Sequence, residues 1–176
     1  MRIYIIGFMG SGKSVFGKRL AAYANYDFMD LDVCFEATFQ TTIFDFFTTY
    51  GEAAFRKKET ALLRQSTDKD NIVISLGGGT PCYHNNMKWI LENGLCVYLQ
   101  LSPEVLYDRL LQAKQNRPLI HDLIPNELQN YIRKTLTERE KYYTQAQCII
   151  PSINIKSQTV KLLFQRILET GNDIYK

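Results

Sequence analysis

Short apolar runs that do not alternate with polar residues recur along this chain, and stretches with helical spacing separate them. Arg2 to Ile6 (RIYII) reads as a buried strand, followed by a glycine-rich turn and a helix over Lys13 to Ala24. Tyr26 to Leu31 is a second short strand, and Phe35 to Leu63 is aromatic-rich and helical in composition, with a break near Gly51. Asn71 to Leu76 (NIVISL) is a strand that stops at Gly77-Gly78-Gly79, and a helix around Asn86 to Glu92 leads into the strand Leu95 to Leu101. Ser102-Pro103-Glu104 has the signature of a helix start: a serine cap, proline at the first helical position and an acid in the first turn. Lys114 to Asn126 is polar, carries Pro118 and Pro125, and reads as a mobile loop or lid. Glu127 to Tyr143 is helical and Cys148 to Ile150 a short strand. A last helix places Val160, Leu163, Phe164, Ile167 and Leu168 on one face at i, i+3, i+4, i+7 and i+8. Apolar, non-alternating strands separated by helices predict an α/β fold, a parallel sheet covered on both faces.

The length, 176 residues, fits one domain over 1–176. With 45% hydrophobic and 22% charged residues, 10 Gly and 5 Pro, disorder, collagen and coiled coil are excluded. A net charge of +3 is too mild to imply a nucleic-acid or membrane-surface partner. No window approaches a membrane span. The apolar run after Arg2 is too short for the core of a signal peptide. Cys34, Cys82, Cys96 and Cys148 are widely spaced with no C-x-x-C, so a reduced, cytoplasmic protein with structural thiols is expected.

Gly7-Phe8-Met9-Gly10-Ser11-Gly12-Lys13-Ser14 matches G-x-x-x-x-G-K-[ST] in full. Glycines let successive backbone N–H groups point into one concavity, and the following helix adds its unsatisfied donors and positive end. Lys13 can reach the β- and γ-phosphates of a nucleoside triphosphate, and the Ser14 hydroxyl can ligate Mg²⁺. The alternative, an incidental glycine-rich turn, leaves unexplained why the match falls between a strand and a helix. A GTPase needs an N-K-x-D motif, which the chain lacks. A motor-type ATPase needs an acid ending a later strand, and here that strand ends Ser75-Leu76-Gly77. A small kinase that passes the γ-phosphoryl group to a bound acceptor remains.

Asp30 and Asp32 lie at the carboxyl end of the second strand, where such sheets bind ligands; Asp32 also suits a helix N-cap. Gly51-Glu52-Ala53-Ala54-Phe55-Arg56 opens a helix with a glycine and an acid, and Arg56 alone reads equally as a solvated helix charge. Three adjacent glycines at 77–79 cost conformational entropy and make sense where backbone approaches a ligand closely. Arg117 sits in the polar loop, where a lid arginine suits transferring phosphates. Arg139 and Tyr143 share a helix face, a pattern open to an exposed-charge reading.

The ordered set GxxGSGKS, DLD, GExxFR, GGG, RPL and RxxxY resembles shikimate kinase, from about Arg2 to Ile150. The resemblance implies a three-layer P-loop kinase fold, similar to nucleoside monophosphate kinases, with a five-stranded parallel sheet, an acceptor-binding helical region about 32–62 and a lid about 114–126. It implies ATP-dependent phosphorylation of the 3-hydroxyl of shikimate, a step toward chorismate and the aromatic amino acids. Carried over, Gly10, Ser11, Gly12, Lys13, Ser14 and Val15 wrap the ATP phosphates. Ser14 ligates Mg²⁺, and Asp30 supports the metal through water. Asp32 holds the acceptor hydroxyls; Arg56 and Arg139 bind the shikimate carboxylate, Gly78 contacts the substrate through its backbone, and Arg117 is the lid arginine on the phosphates. Lys13, Asp32 and Arg117 are the expected catalytic residues. ATP and shikimate are the expected partners of a monomer, with no nucleic acid or membrane. Val15 stands where threonine is common, and PSINIK (151–156) lacks the arginine often found near adenine. Rival readings are a gluconate or nucleoside monophosphate kinase, which needs a different acceptor pocket, and an inert nucleotide-binding module, which would have lost Lys13, Ser14 or the acids.

Overall fold

The five runs read as strands do form one sheet, and they form it in the order β2-β3-β1-β4-β5 with every pairing parallel. The strands are β1 (Arg2–Ile6), β2 (Asp27–Asp30), β3 (Ile72–Ser75), β4 (Leu95–Gln100) and β5 (Cys148–Pro151) in a computed structural model. It describes residues 1–113, 120, 122–151, 160, 161, 164, 165, 167 and 169. Burial runs straight along β1, β3 and β4 instead of alternating, because both faces are covered. Ile3, Ile5, Val73, Leu95, Val97 and Leu99 face one core with Phe16 and Leu20 of α1 (Lys13–Ala24), and Val160 and Ile167 join it. Tyr4, Ile6, Ile72, Ile74, Cys96 and Tyr98 face the other. Of the last predicted helix, Leu163 and Leu168 lie outside the described residues.

That second core is roofed by α2 (Leu31–Phe39), α3 (Ile43–Gln65), α4 (Asn86–Asn93), α5 (Pro103–Ala113) and α6 (Pro125–Tyr143). The helical stretch expected from Phe35 to Leu63 breaks twice. Gln40 ends α2 in the left-handed region, and Thr42 caps α3 by accepting from the Asp45 N–H at 3.0 Å. The T-x-x-D spacing carried that signal. Farther on, Gly51 bends α3 with a φ of 77°. Of the stretch 114–126 read as a lid, 114–119 and 121 lie outside the described residues; at its end Pro125 opens α6 at its first position, where a missing N–H costs nothing, and Glu127 accepts from the Ile124 N–H. Ile120 is fully buried in the second core with Leu123 packed against it, so apolar anchors hold this part of the stretch. No helix among the described residues is long and apolar enough to cross a membrane.

Aromatic rings fix α2 against the start of α3. Phe35 meets Phe39, Phe46 and Phe55 at centroid distances of 4.6, 5.1 and 4.7 Å. Phe55 precedes Arg56, so this cluster also sets where that guanidinium begins. Phe35→Ala is expected to cost about 3–5 kcal/mol in urea denaturation, the usual loss for a large buried ring. A loss under about 1 kcal/mol would mean that these helices are held by something else.

Candidate functional site

Parallel pairing sends the carboxyl ends of all five strands to one edge, and the sequence-predicted groups collect there. Directly after β1, the loop from Gly7 to Gly12 turns through left-handed Gly10 (φ 81°) and Gly12 (φ 94°), a conformation that favours glycine. Gly12 caps α1 without a side-chain bond, and no acid lies in the helix's first turn. The positive helix end therefore faces the loop with no acid of its own, a ready anion site. Lys13 Nζ donates to the Phe8 carbonyl at 3.0 Å. Arg109, from α5, donates to the carbonyls of Gly10 at 3.2 Å and Ser11 at 3.4 Å. Val15 is exposed in the first turn of α1.

Beside the loop, Ser14 Oγ donates to Asp30 Oδ2 at 2.5 Å. Asp30, and not Asp32, is the N-cap of α2: its other oxygen accepts from the Asp32 N–H at 3.1 Å. Asp32 is thus freed from capping and stands in the first helical turn.

Each glycine of the 77–79 run abuts a different group of the site. A Cβ on Gly77 would lie 2.7 Å from Glu59 Oε1 and 3.0 Å from Asp32 Oδ1. One on Gly78 would lie 3.3 Å from Arg139 Nη1, and one on Gly79 only 2.5 Å from Arg56 Nη2. The run is glycine because side chains converge on it from three helices.

Arg56 is 5% exposed, which removes the solvated reading. Glu59, 1% exposed, accepts from its Nη1 at 2.8 Å and from Thr80 Oγ1 at 2.6 Å. Glu52 accepts from Nε and Nη2, both at 3.1 Å. Burial works against the Arg56 charge, but Glu59 and then Glu52 outweigh it and raise the guanidinium's pKa. Arg139 is half-buried, with its guanidinium 5.6 Å from the Phe8 ring centroid. Its neighbour on the helix face, buried Tyr143, donates to the Gly78 carbonyl at 2.5 Å.

Asp32 is open to solvent on the crevice side yet closely surrounded by protein, Asp30 and Glu59. Those three influences, in that order, push its carboxyl up to about 6 against the pull of Lys13 and Arg56. Cys82 faces the same arginines, but burial pushes its thiol up to about 11 and keeps it neutral.

The structure therefore brings Lys13, Ser14, Asp30, Asp32, Arg56, Gly78 and Arg139 to one crevice; Arg117 lies outside the described residues. Sequence reasoning missed Glu59, Thr80, Tyr83 and Arg109. Glu52 and Glu59 stand four residues before and three after Arg56, a helix-face spacing that signals ion pairing. An Asp raised from 3.8 to about 6 holds its proton more tightly folded than unfolded. Its stabilising contribution is full below about pH 4 and is lost as pH rises through about 6. The melting temperature of Asp32→Asn, relative to the unsubstituted protein without ligands, is expected to climb between about pH 4 and pH 7. A flat or falling difference would contradict the burial and carboxylate crowding that raise Asp32.

Comparison with known proteins agrees with this geometry. A family model described as shikimate kinase matches residues 9–171. The chain is 38% identical over 170 residues to a shikimate kinase of Bacteroides thetaiotaomicron, covering 96% of this chain and 97% of that one. A crystal structure of shikimate kinase from the same organism superposes with a TM-score of 0.87, at 38% identity and the same coverage. A shikimate kinase from Acinetobacter baumannii in complex with shikimate gives 0.83 at 31% identity, covering 96% of this chain and 90% of that one. With its phosphate loop, paired acids and glycine run in place at one sheet edge, the chain belongs to the shikimate kinase family.

Proposed function

We propose that this protein transfers the γ-phosphoryl group of ATP to the 3-hydroxyl of shikimate, giving shikimate 3-phosphate and ADP for aromatic amino-acid biosynthesis. The observation that carries the reading is the placement of two guanidiniums, Arg56 and Arg139, against consecutive glycines beside the phosphate loop. A planar, paired set of donors suits a carboxylate. Gly78 lies between them in sequence reach and adds a backbone N–H to the same cradle.

Gly10, Ser11, Gly12, Ser14 and Val15 surround the phosphates with backbone donors, and Lys13 leaves the Phe8 carbonyl to neutralise the β- and γ-phosphates. With the carboxylate anchored, the acceptor hydroxyl faces Asp32. The hydroxyl oxygen bonds to the γ-phosphorus, the bond from that phosphorus to the bridging oxygen of ADP breaks, and Asp32 takes the hydroxyl proton. Its elevated pKa suits that exchange. Phosphoryl transfer asks chiefly for positioning and charge neutralisation, and Arg117, from the stretch between α5 and α6, is read as the closing cation.

Ser14 and Asp30 offer adjoining hard oxygens at the head of α1, the donor type Mg²⁺ takes. Among the described residues no group of three or more His, Cys, Asp or Glu is placed to hold a metal. Ser14 would hold the ion directly and Asp30 through water. The bound ion supplies charge neutralisation between the phosphates.

A coupled ADP-release assay across shikimate, gluconate and nucleoside monophosphates tests the reading: turnover with shikimate alone is expected, and turnover only with another acceptor overturns it. Lys13→Ala is expected to lose at least about a hundredfold in kcat, as when a preorganised charge on the transition state is removed, with an unchanged melting curve. Retained kcat would contradict its role. Arg56→Lys keeps the charge and loses the fork, so KM for shikimate should rise about 10- to 100-fold while KM for ATP holds. Equal rises would place Arg56 at the wrong substrate.

A further inference from the structure

Tyr83 belongs to none of the motifs above, yet it is built into the acceptor site. It follows the short 3₁₀ turn Thr80–Cys82 that continues the glycine run. The next two residues, His84 (φ 48°) and Asn85 (φ 56°), both take the left-handed conformation that side chains rarely adopt. Asn85 is also the N-cap of α4, so Tyr83 stands just before that helix. The Tyr83 ring centroid lies 4.6 Å from the Arg56 guanidinium carbon, the nearest of three aromatic rings around it. Its hydroxyl donates at 3.0 Å to Glu52 Oε1, the same oxygen that takes Arg56 Nε and Nη2.

A guanidinium has five N–H donors. Glu52 takes one on Nε and one on Nη2, and Glu59 one on Nη1. Among the described residues this leaves one donor on each terminal nitrogen for a ligand. Which way that remaining pair points depends on Glu52, whose side chain is 49% exposed and sits directly after the Gly51 bend. Glu59 is pinned in the interior by Thr80. Glu52, half exposed, accepts from Tyr83 as well as from Arg56.

We propose that Tyr83 is a positioning residue for acceptor recognition: by stacking on Arg56 and fastening Glu52, it turns the remaining Arg56 donors toward the acceptor's carboxylate. The inference rests on the shikimate kinase reading. It assigns to a loop outside the family motifs the selection of a carboxylate-bearing acceptor over a neutral one. Ring and hydroxyl contribute separately, the ring through the cation–π contact and the hydroxyl through Glu52.

Steady-state kinetics on Tyr83→Phe and Tyr83→Leu test it, using shikimate and its analogue with a hydroxymethyl group in place of the carboxylate. Tyr83→Leu should raise KM for shikimate about tenfold and Tyr83→Phe about threefold, reflecting loss of stacking plus hydrogen bond against hydrogen bond alone. KM for ATP and kcat should stay within about twofold, because neither contact reaches the phosphate loop. The preference for shikimate over the neutral analogue should fall by the same factor as KM rises. Glu52→Gln combined with Tyr83→Phe should be less than additive, since both cut one link. An unchanged KM for shikimate overturns the proposal. So does a loss shared equally by both acceptors or by ATP, which would mark a merely structural role. Turnover of shikimate by the unsubstituted protein is measured first; its absence would instead overturn the reading on which the inference rests.

Discussion

A fully charged guanidinium held almost out of water is the constraint around which this site is organised. Arg56, 5% exposed, keeps its charge only because Glu59 and Glu52 meet it. Such a bridge adds little net stability, but removing either partner strands a buried charge at a cost of about 3–5 kcal/mol. The second half of α3, the Gly77–Gly79 run and Thr80 are therefore locked to one another. The missing side chain of Gly79 completes the lock, since a Cβ at that position would occupy the space of the guanidinium.

The parallel sheet converts this local lock into a site. Its strand order places β3 next to β1, so the glycine run lies beside the phosphate loop: a Cβ on Gly78 would be 3.3 Å from the Met9 backbone nitrogen. Positive helix end, Lys13 and two arginines stand on one side of the charge balance; Asp30, Asp32 and Glu59 stand on the other. An anionic donor and an anionic acceptor can approach in such a crevice, which cations keep from repelling them. Asp32, closed in by protein and then crowded by Asp30 and Glu59, holds a proton more readily than a free carboxylate.

The phosphate loop was legible in the sequence because its function is carried by backbone conformation, and Gly10 and Gly12 announce that conformation directly. The glycine run was legible for a related reason: three adjacent glycines signal close approach, although only the fold says what approaches. Asp30 and Asp32 were singled out, but which of them caps α2 was not legible, because that choice depends on where β2 ends and α2 begins. Arg56 could be read alone as a solvated charge, since burial is a property of what packs on the helix. Tyr83 and Glu59 act across 27 and 3 positions from Arg56 in the chain, and only the second spacing is written in a helix pattern. The break at Thr42 was overlooked because continuous aromatic composition masked its capping signal. Pro125 was assigned to a loop when its fixed φ serves the start of α6.

The central claim is that two arginines gathered on the glycine run hold the acceptor by its carboxylate and so present its hydroxyl to the phosphates. A crystal structure of the protein with shikimate and an unreactive ATP analogue tests this directly. The account predicts the carboxylate between Arg56 and Arg139, within hydrogen-bonding distance of both, and the ring hydroxyls turned toward Asp32. A shikimate bound with its hydroxyls on the arginines, or with its carboxylate away from the glycine run, would contradict it.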